Sequence, residues 1–167
     1  MAKIGINAGH TKIGVGTGAN KYLNESTETR KLACEIMKQL ADTQHEVVPL
    51  IYDKANNNLK EAVNEANKKS LDLFISVHLN AGGGQGSEIY TWKGEHLPEA
   101  RITLHNLNKL GFKNRGIKDG SNLYVIKNTK MPAILVEFCF LDNQKDVQLY
   151  NQVGHKAIAE AIVNAIK

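Results

Sequence analysis

Short apolar runs of strand length alternate with amphipathic helical patterns along the chain. The apolar runs occupy residues 3–8, 46–52, 71–79, 87–92, 123–126 and 133–140, and the helical patterns occupy residues 28–42, 58–69, 98–110 and 153–166. This alternation predicts an α/β fold: a mostly parallel, mixed and twisted sheet of about six strands with helices on both faces. The run at residues 71–79 is the most apolar, so we expect that strand to be central.

The length and charge of the chain limit the classes of protein it can belong to. A chain of 167 residues suits one domain, which we expect to span residues 1–167. The net charge of +4 suits an anionic target such as a cell wall. The basic residues are scattered and no nucleic-acid-binding motif is present, so nucleic acid is not an expected partner. We expect a monomer.

The sequence also predicts where the protein is made. No apolar segment is long enough to span a bilayer, so we expect no membrane insertion. The N-terminal residues run directly into the first predicted strand and lack the apolar core of a signal peptide. We therefore expect synthesis in the cytoplasm without export by the usual route. Cys34 and Cys139 lie in apolar patterns and are predicted to be buried, reduced thiols.

Two histidines and one glutamate stand at or near the ends of apolar runs. His10 comes just after the first run, His78 lies near the end of the third, and Glu137 lies within the last. Ligands of open α/β sheets bind outside the carboxyl ends of the strands. We therefore expect these three side chains to meet at one edge of the sheet. Imidazole nitrogens and carboxylate oxygens in such a place predict a hydrolytic zinc site.

A catalytic zinc site needs a third protein ligand. Glu25, just before the first predicted helix, is the best candidate, but an acid that complements the helix dipole explains it equally well. The residues alone leave these two interpretations open. Glu28 competes for the ligand role but lies deeper in the helical pattern. The remaining histidines end no apolar run and are predicted to be surface side chains: His45, His96, His105 and His155.

Glu137 is the most unusual residue of the last apolar run. A carboxylate between Val136 and Phe138 is costly to bury without a partner. One interpretation is a general base and acid that acts on water at the metal. The other is a buried salt bridge with a lysine or an arginine.

Four motifs in a fixed order resemble a known family. They occupy residues 4–10 (IGINAGH), 24–26 (NES), 76–81 (SVHLNA) and 131–137 (MPAILVE), and residues 114–118 and 123–125 resemble the approach to the last motif. Together they resemble the zinc-dependent N-acetylmuramoyl-L-alanine amidases of the third type, which include bacterial autolysins and the catalytic domains of phage endolysins. The resemblance covers essentially the whole chain.

The resemblance implies a site and a reaction. It implies one zinc ion bound by His10, Glu25 and His78, with Glu137 catalytic, and a substrate, peptidoglycan, cut between the muramic acid lactyl group and L-alanine. Asn80 is expected to orient His78 or donate to substrate, and Arg115 either contacts substrate or lies in a solvated surface. The absence of a signal peptide favours an endolysin released by a holin over a secreted autolysin.

Three other classes remain open at this point. A zinc peptidase or deacetylase would use the same metal chemistry on another bond. A cysteine hydrolase would pair Cys139 with His78. A wall-binding module without catalytic activity would have no need of Glu137.

Overall fold

The computed structural model describes residues 1–54 and 58–166. The strands are β1 (Lys3–Ala8), β2 (Glu46–Pro49), β3 (Leu73–Asn80), β4 (Ser87–Thr91), β5 (Asn114–Asp119) and β6 (Ala133–Phe140). The helices are α1 (Glu25–Ala41), α2 (Asn58–Lys68), α3 (Pro98–Lys109), α4 (Tyr124–Asn128) and α5 (Gln144–Val163), with a 3₁₀ turn at Trp92–Gly94. The asparagine cluster at residues 56–58 predicts a loop followed by a helix cap, and its first two residues lie outside the described part of the chain.

The strands form one mixed sheet in the order β2-β1-β3-β6-β4-β5. Four of the neighbouring pairs are parallel, and only β4 and β6 run antiparallel. The prediction of a mostly parallel sheet of about six strands is confirmed, and β3 is central as expected. Strands β3 and β6 are buried on both faces, which is why their sequences are nearly continuous apolar runs.

Helices cover both faces of the sheet, as predicted. Leu32 of α1, Leu104 of α3 and Ile158 of α5 share one apolar core. Val63 of α2 and Val125 of α4 belong to the core on the opposite face. Among the described residues, no helix is both long and apolar enough to cross a membrane.

Near the edge of the sheet, one predicted element was wrong and one observed strand was not predicted. Residues 123–126 were predicted as a strand, but Tyr124–Asn128 forms α4, because Val125 and Ile126 turn one face into the core while Tyr124 and Lys127 stay exposed. Strand β5 was not predicted. It is an edge strand in which Ile117 is the only large apolar side chain, so it carries little hydrophobic signal.

Helix α1 also differs from its prediction. It begins at Glu25, one turn earlier than predicted, because the Asn24 side chain accepts a hydrogen bond from the Thr27 amide and caps the helix there. The prediction that Cys34 is buried was wrong. Cys34 is exposed because the face of α1 that meets the sheet carries Leu32 and Ile36, and position 34 lies off that face.

Candidate metal centre and active site

Three side chains from distant parts of the sequence converge at the carboxyl edge of the sheet. His10 follows β1, His78 lies near the end of β3, and Glu25 lies in the first turn of α1. Oε1 of Glu25 is 3.1 Å from Nε2 of His10 and 3.2 Å from Nδ1 of His78. One ligand atom from each residue lies within 4.8 Å of the others, so the group can hold a metal ion.

A buried chain of hydrogen bonds determines which nitrogen of His78 carries a proton. Asn7 donates from Nδ2 to the Leu50 carbonyl at 2.7 Å, so its Oδ1 accepts from the Ser76 hydroxyl at 2.7 Å. The Ser76 oxygen is then the acceptor for Nε2–H of His78 at 3.1 Å. This arrangement leaves Nδ1 of neutral His78 without a proton, and that nitrogen faces Glu25.

His10 is oriented in the same way by a backbone carbonyl. Its Nδ1–H donates to the Gly16 carbonyl at 3.1 Å, so Nε2 of the neutral ring presents a lone pair to Glu25. Two imidazole lone pairs and one carboxylate oxygen thus face the same point. This is the donor set that zinc prefers, and a catalytic zinc site has three such ligands and one open position. The residues present therefore fit a zinc ion.

Two glycines leave the space that these side chains occupy. A Cβ at Gly9 would lie 2.3 Å from Cε1 of His78. A Cβ at Gly18, which has a φ of +79°, would lie 2.8 Å from Oε2 of Glu25 and 2.9 Å from the His10 ring. Any side chain at either position would displace a member of the group.

The electrostatics of the group make Glu25 its permanent negative charge. Burial alone would raise the pKa of Glu25, but in the metal-free protein hydrogen bonds from the two imidazoles in their protonated form, together with their charge, lower it to about 2. Burial holds the pKa of His78 below its ordinary value despite Glu25. Burial also acts to lower the pKa of the less buried His10, but the hydrogen bond to Glu25 and its charge outweigh this effect and raise it.

Glu137 lies beside this group with one oxygen unpaired. The register pairs Glu137 with His78 on β3 and with Glu88 on β4, so the three residues form one row across the sheet. Oε2 of Glu137 is buried and has no hydrogen-bond partner among the described residues. Within residues 1–54 and 58–166, no lysine or arginine forms an ion pair with it, so the salt-bridge interpretation lacks a partner. Burial, and then the charges of Glu25 and Glu88, raise the pKa of Glu137 to about 8.

The predicted auxiliary residues converge on Glu88 instead of on His78. Asn80 donates from Nδ2 to Oε1 of Glu88 at 2.7 Å, and Arg115 donates from Nε to Oε2 at 2.7 Å. The Tyr90 hydroxyl donates to Oε1 at 2.8 Å. Sequence reasoning missed Glu88, Asn7 and Ser76. Each of the three is a polar residue inside an apolar run of strand length, and this pattern could have identified them.

The other candidates lie elsewhere. Glu28 is bound by Lys31, Tyr150 and His155. It does not belong to the candidate metal site. His96 and His105 are exposed as predicted, whereas His155 is half-buried in this contact with Glu28 and corrects the prediction of a surface side chain. His45 is half-buried too and accepts the Ala2 amide.

Cys139 is poorly suited to act as a nucleophile. Its side chain is fully buried, and burial raises the pKa of its thiol well above the ordinary value. A reactive cysteine needs the opposite environment, because the thiolate is the nucleophile. The cysteine-hydrolase alternative is therefore disfavoured.

Comparison with known proteins identifies the family. The family model described as N-acetylmuramoyl-L-alanine amidase matches residues 4–167. The chain is 34% identical to the N-acetylmuramoyl-L-alanine amidase CwlM of Bacillus licheniformis, over 99% of this chain and 68% of the relative. It is 32% identical to the endolysin of Bacillus phage SPP1, over 86% of this chain and 56% of that protein.

The fold agrees with these sequence matches. The catalytic domain of the CD27L endolysin, which targets Clostridia difficile, superimposes with a TM-score of 0.90 at 30% identity, covering 99% of this chain and 97% of that domain. The chain spans about half the length of two curated relatives from Clostridium perfringens, 51% of one and 50% of the other. By its sequence and its fold, the chain belongs to the N-acetylmuramoyl-L-alanine amidase family.

Proposed function

We propose that this protein is a zinc-dependent peptidoglycan hydrolase that cleaves the amide between N-acetylmuramic acid and L-alanine of the stem peptide. The observation that carries the proposal is the pair of imidazole lone pairs facing one ionised carboxylate, with the unpaired acid Glu137 in the adjacent position of the sheet. Family membership supplies the substrate class.

His10, Glu25 and His78 would hold the ion. Bound zinc would polarise the scissile carbonyl and lower the pKa of the attacking water. Gly16 and Ser76 keep the two imidazoles in the tautomers that a metal requires. The amides of Ala19 and Leu79 donate to the Glu25 carboxylate and hold it in place.

Glu137 is the proposed proton carrier. Its carboxylate takes a proton from the attacking water and passes one to the amine of L-alanine as the amide breaks. The buried Oε2 suits this role because, in the described part of the chain, no protein group forms a hydrogen bond with it. Burial, and then the charges of Glu25 and Glu88, raise the pKa of Glu137 and so favour the protonated form, which is the form that donates to the leaving amine.

We further propose that residues 1–167 act as one catalytic domain, on the cell wall, as a phage or prophage endolysin released by a holin. The similarity to the SPP1 endolysin and to the CD27L catalytic domain supports this assignment.

End-group analysis of digested peptidoglycan tests the function directly. The zinc-loaded protein is expected to release new L-alanine amino groups and muramic lactyl carboxyl groups in equal amounts. New ends within the peptide, or free amino sugars, would instead indicate the peptidase or deacetylase.

His78→Ala, which removes one ligand, is expected to lose both zinc and lysis. A His78→Ala protein that keeps tight zinc and normal activity would contradict the proposal.

A further inference from the structure

Arg30, on the second turn of α1, binds backbone atoms around the candidate metal site, which is formed by the side chains of His10, Glu25 and His78. Its side chain is only 13% exposed. It donates four hydrogen bonds: Nε to Oδ1 of Asp53 at 2.6 Å, Nη1 to the Ser26 carbonyl at 2.8 Å, and Nη2 to the carbonyls of Tyr52 and His10 at 2.9 and 3.1 Å.

These acceptors belong to three separate segments. His10 follows β1, Ser26 is the neighbour of Glu25 in the first turn of α1, and Tyr52 with Asp53 follows β2. One planar guanidinium therefore connects the segment that carries one proposed ligand to the helix that carries another. A planar fork of fixed donors can satisfy several acceptors at once, which a lysine ammonium on a flexible stem cannot reproduce.

His10 needs such support because of its backbone conformation. Its φ is +67°, in the left-handed region that residues other than glycine rarely adopt. Such conformations persist only where surrounding contacts hold them. The bond from Arg30 to the His10 carbonyl is one of these contacts.

Asp53 holds the loop that follows His10 as well as the guanidinium. Its carbonyl accepts from the amides of Lys12 and Ile13 at 3.0 and 3.1 Å. That loop contains Gly16, whose carbonyl orients the His10 ring. Arg30 and Asp53 thus support His10 from two sides.

We propose that Arg30, held by its ion pair with Asp53, is a positioning residue of the metal site. Arg30 keeps His10 in place relative to Glu25 before the metal binds. The inference rests on the proposed zinc-dependent function. It assigns no contact with substrate to Arg30. Its consequence is that Arg30 determines zinc affinity more than turnover, because a bound ion itself keeps its ligands together.

Arg30→Lys tests the proposal, with Arg101→Lys on the exposed surface of α3 as the matched control. Zinc dissociation constants are measured by competition with a chromophoric chelator, and melting temperatures are measured with and without zinc. Arg30→Lys is expected to weaken zinc binding about 10–100-fold, as loss of an outer partner of a ligand typically does. Its kcat at saturating zinc is expected to stay within a fewfold of the parent, and the rise in melting temperature on adding zinc is expected to shrink.

A purely structural role would lower the melting temperature of both forms equally and leave the dissociation constant unchanged, and that result would overturn the proposal. If Arg30→Lys does not fold, Asp53→Ala decides, since Asp53 is 64% exposed. Removing one of the four bonds is expected to weaken zinc binding about 3–10-fold, and parent-like affinity would overturn the proposal. A parent protein that binds no zinc would instead overturn the proposed function.

Discussion

Two glutamates at the same edge of the sheet have opposite surroundings. Glu25 is contacted by two imidazoles and by the amides of Ala19 and Leu79, and its pKa is lowered to about 2. Glu137 has a buried oxygen without a partner, and its pKa is raised to about 8. Residues of one chemical type therefore differ by about six pKa units within one site.

The difference shows how one site obtains both a permanent anion and a proton carrier. A ligand must stay ionised at every working pH, whereas a general acid and base must change its protonation state near neutral pH. Hydrogen-bond donors around Glu25 favour its charge. Burial and the like charges of Glu25 and Glu88 disfavour the charge of Glu137. Exchanging glutamate for glutamine at each position separates the two roles.

The largest effect is expected for Glu25→Gln. Glutamine keeps the shape but removes the negative charge that faces the two imidazoles. We expect the zinc dissociation constant to rise by more than about 100-fold, beyond the range for outer partners of a ligand, and activity to disappear with the metal. Zinc content after dialysis and peptidoglycan turnover measure both effects, with Glu160→Gln on the exposed face of α5 as control. Tight zinc in Glu25→Gln would remove Glu25 from the ligand set.

Glu137→Gln is expected to keep the fold and the zinc and to lose activity about 10²–10⁴-fold, because an amide cannot accept the proton. Melting temperature, zinc content and turnover are measured on the same preparation. A folded, metal-loaded variant as active as the parent would contradict the catalytic role. A variant that is inactive only because it unfolds would favour a structural role for Glu137.

Ser76→Ala tests whether the hydrogen bond between Ser76 and Nε2 of His78 supports metal binding by the histidine. Without the Ser76 acceptor, the His78 proton is free to move to Nδ1, the nitrogen that faces Glu25. We expect zinc affinity to fall about 10–100-fold. Ser121→Ala, in the turn after β5, is the control and is expected to bind zinc like the parent. Equal affinity for the Ser76 variant would show that the tautomer of His78 does not depend on this bond.

The smallest effect is expected in the stability of the metal-free protein as a function of pH. The pKa of Glu137 is raised from 4.5 in the unfolded chain to about 8 in the folded protein. Below pH 4.5 both states carry the proton, and as the pH rises to 8 the unfolded chain loses it first, so the free energy of unfolding falls over this range. Glutamine stays neutral, so Glu137→Gln is expected to gain melting temperature relative to the parent between pH 5 and pH 8.5. A shift of roughly 2–4 °C corresponds to each kcal/mol for a chain of this size. A difference that stays constant with pH would contradict the raised pKa.

The main strands and the site residues at their ends were predictable because their signals are local. Strand β6 was predicted with its observed bounds, since seven of its eight positions are buried and only Glu137 interrupts the apolar run. His10 and His78 stood out because each polar side chain interrupts or follows such a run. Strand β5 was missed because it is short and weakly apolar. Helix α4 was predicted as a strand because a short apolar run such as residues 123–126 fits either a strand or a buried helical turn, and its neighbours decide the conformation.

The sequence by itself determined the α/β architecture, the central strand and the edge where His10, His78 and Glu137 stand, because apolar periodicity records which residues are buried. Only the tertiary structure decided the surroundings of each acid. The hydroxyl of Ser76 meets Asn7 across 69 positions of sequence, and Glu137 faces Glu88 because β4 runs antiparallel to β6. Contacts between distant segments fix tautomers, charges and proton affinities, and no local pattern of residues records them.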